Sequence, residues 1–186
     1  HGYAFAEGFL NCCNTPPQLD IQINPLRADS ASYSALLRDA GIEHNVNQLP
    51  KGSITVHGGS VTQLPGYDEG LFYVQDRAAR LAASFAGARP GMQVLDCCAA
   101  PGGKTMHIAT KLNGSGKVIS CDVSEYKTDK INENIERLGL KNVQVQVADA
   151  TVENKDFIDK ADIVLADVPC SGLGVIRKKP DIRFKD

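Results

Sequence analysis

The chain has 186 residues, 42% of them hydrophobic, with 20 basic and 22 acidic side chains for a net charge of −2. That is enough to bury the core of one large globular domain or two small ones. No run approaches the roughly 20 uncharged apolar residues of a membrane span, and no basic segment followed by an apolar run opens the chain. A cytoplasmic protein without membrane contact is expected.

The six cysteines, Cys12, Cys13, Cys97, Cys98, Cys121 and Cys170, contain no Cys-x-x-Cys spacing. Neither a zinc ribbon nor a thioredoxin-type site is indicated, and no metal is expected. Cys97, Cys98 and Cys121 fall in apolar runs, where a thiol behaves as a small core side chain. Charge is spread over both halves, with six basic and eight acidic residues in 1–90 and fourteen of each in 91–186. The exception is the end, where Arg177, Lys178, Lys179, Arg183 and Lys185 face only Asp181 and Asp186. Such a cluster suits a phosphate-bearing partner, although short basic runs are commonly just solvated surface.

In chain order, residues 1–13 read as the end of a helix stopped by Asn14 and Thr15-Pro16-Pro17. Leu19, Ile21 and Ile23 alternate with polar neighbours as in a half-buried strand. A helix capped by Asp29 or Ser30 runs through Tyr33, Leu36 and Leu37 to Gly41. Short strands are predicted at 53–57 and 71–75, so residues 1–74 form a small α/β module. From residue 75 the pattern is regular: a helix over 75–86, then strands at 93–98, 117–122, 143–148 and 162–167, with helices over 102–112 and 124–138 between the first three. This alternation predicts an α/β fold with a parallel, doubly wound sheet of continuous apolar strands over 75–186.

Chemistry concentrates at three places. The first is the segment Asp96-Cys97-Cys98-Ala99-Ala100-Pro101-Gly102-Gly103-Lys104-Thr105, which leaves a strand through small residues and opens a helix. Small residues let backbone approach a ligand, and the helix start offers free N–H groups. A nucleotide-triphosphate P-loop competes, since Gly103-Lys104-Thr105 ends as that motif does. It fails because Cys98 stands where the first glycine belongs and Pro101 removes a backbone N–H. The second is the acid closing each later strand: Asp122, Asp149 and Asp167. In a doubly wound sheet all three face one crevice, with Asp122 placed for ribose hydroxyls and Asp149 for an adenine edge. A lone strand-end Asp is commonly a helix cap, but three in succession beside a glycine turn indicate a nucleoside-containing cofactor. The third is Asp167-Val168-Pro169-Cys170-Ser171-Gly172, which sets a thiol just beyond a strand end. There it could serve covalent or acid/base chemistry, or be structural.

These residues resemble the Sun-type RNA cytosine-5 methyltransferases, RsmB-like members that modify 16S ribosomal RNA. The resemblance rests on Cys98 to Thr105, on Asp167 to Gly172, and on Gly174-Val175-Ile176-Arg177-Lys178-Lys179-Pro180-Asp181-Ile182. Weaker similarity runs through Leu64 to Gly70, Val74-Gln75-Asp76 and Pro16-Pro17. It implies a Rossmann-like S-adenosylmethionine-binding methyltransferase domain at 75–186, truncated after its fourth strand, behind a small RNA-binding module at 1–74. It places Cys98, Ala99, Ala100, Pro101, Gly102, Gly103 and Lys104 along the methionine and ribose of the cofactor. Asp122 falls on the ribose hydroxyls, Asp149 near the adenine, and Asp167 between cofactor and target base.

In that family one cysteine attacks cytosine C6 and a second, matching Cys170, assists product release. The attacker belongs to a Thr-Cys motif, and no Thr-Cys dipeptide occurs in these 186 residues. In DNA cytosine-5 methyltransferases the Pro-Cys cysteine itself attacks, which leaves a second enzymatic reading for Cys170. A third reading is a catalytically silent module that holds RNA or a ribosomal particle. The family's sheet has further strands after the one ending at Asp167, so an open edge at Ile163, Val164 and Leu165 and a longer native chain are expected, with this piece inactive alone.

Overall fold

The computed structural model describes residues 2–184, so Lys185 and Asp186 of the basic end lie outside the described residues. The chain divides into two compact units, one made of the residues before Leu19 with those after Val168, the other spanning Leu19–Val168.

The first unit is built on helix α1 (Tyr3–Cys13), which ends at Asn14 ahead of the two prolines, as expected. Two 3-10 turns, Leu173–Val175 and Pro180–Phe184, belong to the same unit. The last carbonyls of a helix lack intrahelical donors, and the basic end supplies a donor to one of them, Cys13 O. Arg183 donates to Cys13 O at 2.8 Å and to Asn14 Oδ1 at 2.6 Å, and Arg177 donates to Pro16 O at 2.8 Å. These two arginines thus hold the turn after α1, a use that the charge pattern alone did not suggest.

The second unit carries two sheets. Strands β1 (Leu19–Ile23), β2 (His44–Val46), β3 (Ser53–Val56) and β4 (Phe72–Val74) form an antiparallel sheet in the order β2-β3-β1-β4. Helix α2 (Ser30–Asp39) starts at Asp29, whose Oδ1 accepts from Ala31 N at 2.9 Å and Ser32 N at 2.8 Å. Tyr33 and Leu37 of α2 pack with Ile21, Ile23, Ile54 and Phe72 into one core. One expectation needs correcting: β1 does not alternate, because Gln22 is buried as deeply as its apolar neighbours. Strand β2 escaped the sequence reading because His44-Asn45-Val46 carries no apolar run.

Helix α3 (Arg77–Phe85) leads to β5 (Gln93–Asp96), α4 (Gly103–Lys111), β6 (Lys117–Asp122), α5 (Glu125–Leu138), β7 (Val143–Val147) and β8 (Ile163–Leu165). These strands form an all-parallel, Rossmann-like sheet in the order β7-β6-β5-β8. The chain steps outward from β5 to β7 and then returns to pair β8 on the other side of β5. The strand order therefore reverses at β5/β8, the position at which such sheets open a ligand crevice. One face is packed: Val94, Val118, Ile163 and Val143 meet Met106, Ile108, Leu112 and Leu138 from α4 and α5. The other face is less covered, with Val164 59% exposed on edge strand β8. The expectation of continuous apolar strands fails at β7, whose Val-Gln-Val-Gln-Val sequence alternates as an edge strand does.

The two sheets are joined through the end of α5. Asn24, fully buried, donates to Gly70 O at 3.0 Å and Leu138 O at 3.1 Å. Arg137 donates to Tyr67 O and Phe72 O and lies 4.3 Å from the Tyr67 ring centroid. Gly70, at φ +65°, packs so closely that a β-carbon there would sit 2.1 Å from Arg137 O.

Candidate cofactor site

The segment after β5 runs between the ends of its two neighbours. Cys97 N donates to Leu165 O at 2.9 Å on the β8 side, and Ala99 N donates to Cys121 O at 2.8 Å on the β6 side. The chain then turns through the Ala100–Pro101 cis peptide to Gly102, whose φ of +98° is one that side chains rarely adopt. A β-carbon at Gly102 would also lie 2.7 Å from Met106 Cε. The left-handed backbone thus calls for glycine at 102, and α4 begins with its free N–H groups at the crevice. Gln75 fixes this start, its Nε2 donating to Gly103 O at 2.9 Å. Sequence reasoning had Gln75 only as part of a weak match and gave it no role.

The acids divide by environment. Asp122 is 6% exposed, accepts from Ala100 N at 3.3 Å and Ser124 N at 3.2 Å, and pairs with Lys127 at 3.5 Å. Its carboxylate ties the small-residue turn to the end of β6. Asp167 is exposed, and its Oδ2 pairs with Lys104 Nζ at 2.5 Å across the β5/β8 reversal. Asp149 is exposed, accepts from Thr151 N and Thr151 Oγ1, and has its pKa lowered by those two bonds. It borders a cavity of about 170 Å³ with Leu95, Cys97, Cys121, Val152 and Phe157. Cys97 and Cys121, expected as core side chains, help line this slot.

A residue left out of the sequence-based site is Asp96. It is fully buried at the end of β5; Oδ2 accepts from Thr105 Oγ1 at 2.8 Å, while Oδ1 has no partner. Burial outweighs the Thr105 bond and the nearby Lys104 and pushes its pKa up to about 6. Its signal in the sequence was position: an acid directly before the small-residue turn. Cys98 sits among carboxylates, and burial first, then Asp122, Asp96 and Asp167, raise its pKa. It remains a thiol at neutral pH. Cys170 belongs to the other unit and is exposed.

The crevice therefore gathers Asp96, the Cys98–Lys104 segment, Asp122 and Asp167 at the carboxyl ends of β5, β6 and β8, with Asp149 beyond β7. Residues 86–186 match the family model described as 16S rRNA methyltransferase RsmB/F. The chain belongs to this RsmB/F family. Its curated relatives include a probable ribosomal RNA small subunit methyltransferase B of Synechocystis sp., 35% identical over 99% of this chain and 42% of that protein. The probable enzyme of the same name from Bacillus subtilis is 33% identical over 99% of this chain and 41% of its own length. The chain thus spans about two fifths of these relatives. Among solved structures, the crystal structure of PH0851 superposes with a TM-score of 0.91 at 29% identity, over 97% of this chain and 42% of that one. The RsmB/F match begins just before β5 and includes every acid of the crevice.

Proposed function

We propose that this RsmB/F chain binds S-adenosylmethionine in the β5/β8 crevice and contributes to methyl transfer onto C5 of cytosine in ribosomal RNA. The observation that carries the reading is the orphaned, buried Oδ1 of Asp96 beside a helix start and a ribose-height carboxylate. The cofactor's methionine end has an ammonium and a carboxylate, and its sulfur is cationic. Asp96 would accept from the ammonium, and the free N–H groups opening α4 would hold the carboxylate. Asp122 would accept from ribose hydroxyls, and the slot bordered by Asp149 and Phe157 would take the adenine. When bound, the cofactor supplies an electrophilic methyl group.

Cytosine C5 is a poor nucleophile until a thiolate adds at C6. Methylation of C5, removal of its proton and expulsion of the thiolate then restore the ring. In this reading Cys170 assists that last expulsion, Asp167 borders the target base, and the attacking thiol lies outside these 186 residues. The base must be unstacked to reach the crevice.

Calorimetric titration with S-adenosylhomocysteine tests the proposal. Saturable one-to-one binding is expected, weakened at least tenfold in Asp122→Ala and Asp96→Ala. A folded chain that takes up no ligand refutes the reading.

A further inference from the structure

A second cavity, of about 370 Å³, lies in the Leu19–Val168 unit between the antiparallel module and the α3/α4 face. It is within the range of small-ligand sites. Its wall includes Gln22 of β1, Asp29 at the start of α2, Lys51 of the β2–β3 turn, Arg80 of α3, and His107 and Lys111 of α4. It is remote from the crevice: α4 has 9 residues, begins at the crevice and ends here, a rise of roughly 12 Å at 1.5 Å per residue.

The lining is cationic and held in place. Arg80 donates to the carbonyl of Lys51 and, at 3.2 Å, to His107 Nδ1. His107 Nε2 lies 3.1 Å from Ser84 Oγ. Because an arginine N–H points at Nδ1, that nitrogen must accept, so His107 is neutral and adds no charge. Burial and the nearby Arg80 and Lys111 act in the same direction. Three positive side chains remain, Lys51, Arg80 and Lys111. No ion-pair partner of any of them is present among the described residues. The single carboxylate, Asp29, is already bound by Ala31 N and Ser32 N at the helix start. Lys111 alone would be explained by the dipole of α4, but Lys51 and Arg80 arrive from other elements and would not.

Gln22 also borders the cavity; it is 3% exposed, and its Nε2 donates to Ile23 O at 3.0 Å. Three cations converging from separate elements match a phosphate group.

We infer that this cavity binds a backbone phosphate of the RNA substrate, with Lys51, Arg80 and Lys111 on the phosphate. The inference rests on the proposed action on RNA and adds a contact at the far end of α4 from the methyl-transfer crevice.

Fluorescence anisotropy with a labelled single-stranded RNA and its DNA counterpart, in a salt series, tests it on the 186-residue chain. The exposed substitutions Lys51→Ala and Lys111→Ala leave the core untouched. Together they should weaken RNA binding about tenfold or more and lower the slope of log affinity against log salt by about one to two. Circular dichroism and S-adenosylhomocysteine affinity of that double variant should stay unchanged. Unchanged RNA affinity and salt slope in the double lysine variant, with cofactor still bound, overturn the cavity assignment and leave the methyltransferase reading standing. Lysine-dependent RNA binding in a chain that takes no cofactor supports the cavity and sinks the other reading. Complete displacement of RNA by millimolar cytidine monophosphate, with no gain from strand length, would assign the cavity to a free nucleotide and also overturn the inference.

Discussion

Asp96 offers a quantitative test of the crevice electrostatics. Its carboxyl rises from 3.8 to about 6, chiefly through burial. A raised folded-state pKa means that the folded protein holds the proton more tightly than the unfolded chain. Its contribution is therefore fully present below pH 3.8 and is lost as pH rises through about 6. The shift corresponds to about 3 kcal/mol, of which about 2 kcal/mol falls between roughly pH 4.5 and 7.5. His107 works in the opposite sense. Its pKa is depressed from 6.5 to about 3, so its contribution is present above pH 6.5 and lost as pH falls toward 3. The raw stability curve mixes both, and the wild type minus Asp96→Asn difference isolates the carboxyl.

In the Asn variant the amide oxygen can still accept from Thr105, and the pH-independent cost of its unpaired amide is about 1–3 kcal/mol. Urea unfolding at stepped pH should give a wild-type minus variant difference that falls by about 2 kcal/mol across that window. A difference that is flat or rises with pH refutes the assignment of the shift to Asp96. Binding supplies the complementary reading: a ligand ammonium on Asp96 favours the carboxylate, so S-adenosylhomocysteine uptake near pH 6 should release up to about half a proton per site. Calorimetry in two buffers of different ionisation enthalpy measures that release.

Two further substitutions test the joint between the sheets. Gly70→Ala places a β-carbon 2.1 Å from Arg137 O at φ +65° and should cost at least about 2 kcal/mol in chemical denaturation. Asn24→Ala strips the side-chain donor from Gly70 O and Leu138 O, for a loss of about 1–3 kcal/mol by the same measurement.

The parallel sheet was legible because its signals are local and repeated. The strand beginning at Lys117 and ending at Asp122 falls within the bounds predicted for it, and the helix over 124–138 differs by one residue at its start. Gly102 marked the crevice because few other residues could follow its backbone. What escaped depends on partners distant in sequence. Gln75 reads as an ordinary polar residue until it meets Gly103, 28 residues on. Likewise, Arg177 and Arg183 read as a phosphate-binding run until their bonds to the end of α1 and the turn after it appear, because charge patterning cannot tell an engaged arginine from a free one.

In the proposed cytosine chemistry, the same field that suits a cationic cofactor disfavours Cys98 as the attacking group. A thiolate among Asp96, Asp122 and Asp167 would add negative charge to negative charge, and burial opposes it further; Lys127 is too little to offset them. Attack on cytosine C6 needs the thiolate near neutral pH. The proposed chemistry therefore draws its nucleophile from a thiol outside that cluster. Alkylation by iodoacetamide, followed by mass spectrometry across pH, puts this to the test. Cys98 should react with a midpoint above the ordinary value of 9.0, and Asp122→Asn should lower it by removing one of the opposing charges. A Cys98 that reacts as a thiolate at pH 7 would show that the carboxylates do not govern the crevice, and would reopen the choice of nucleophile among the cysteines of this chain.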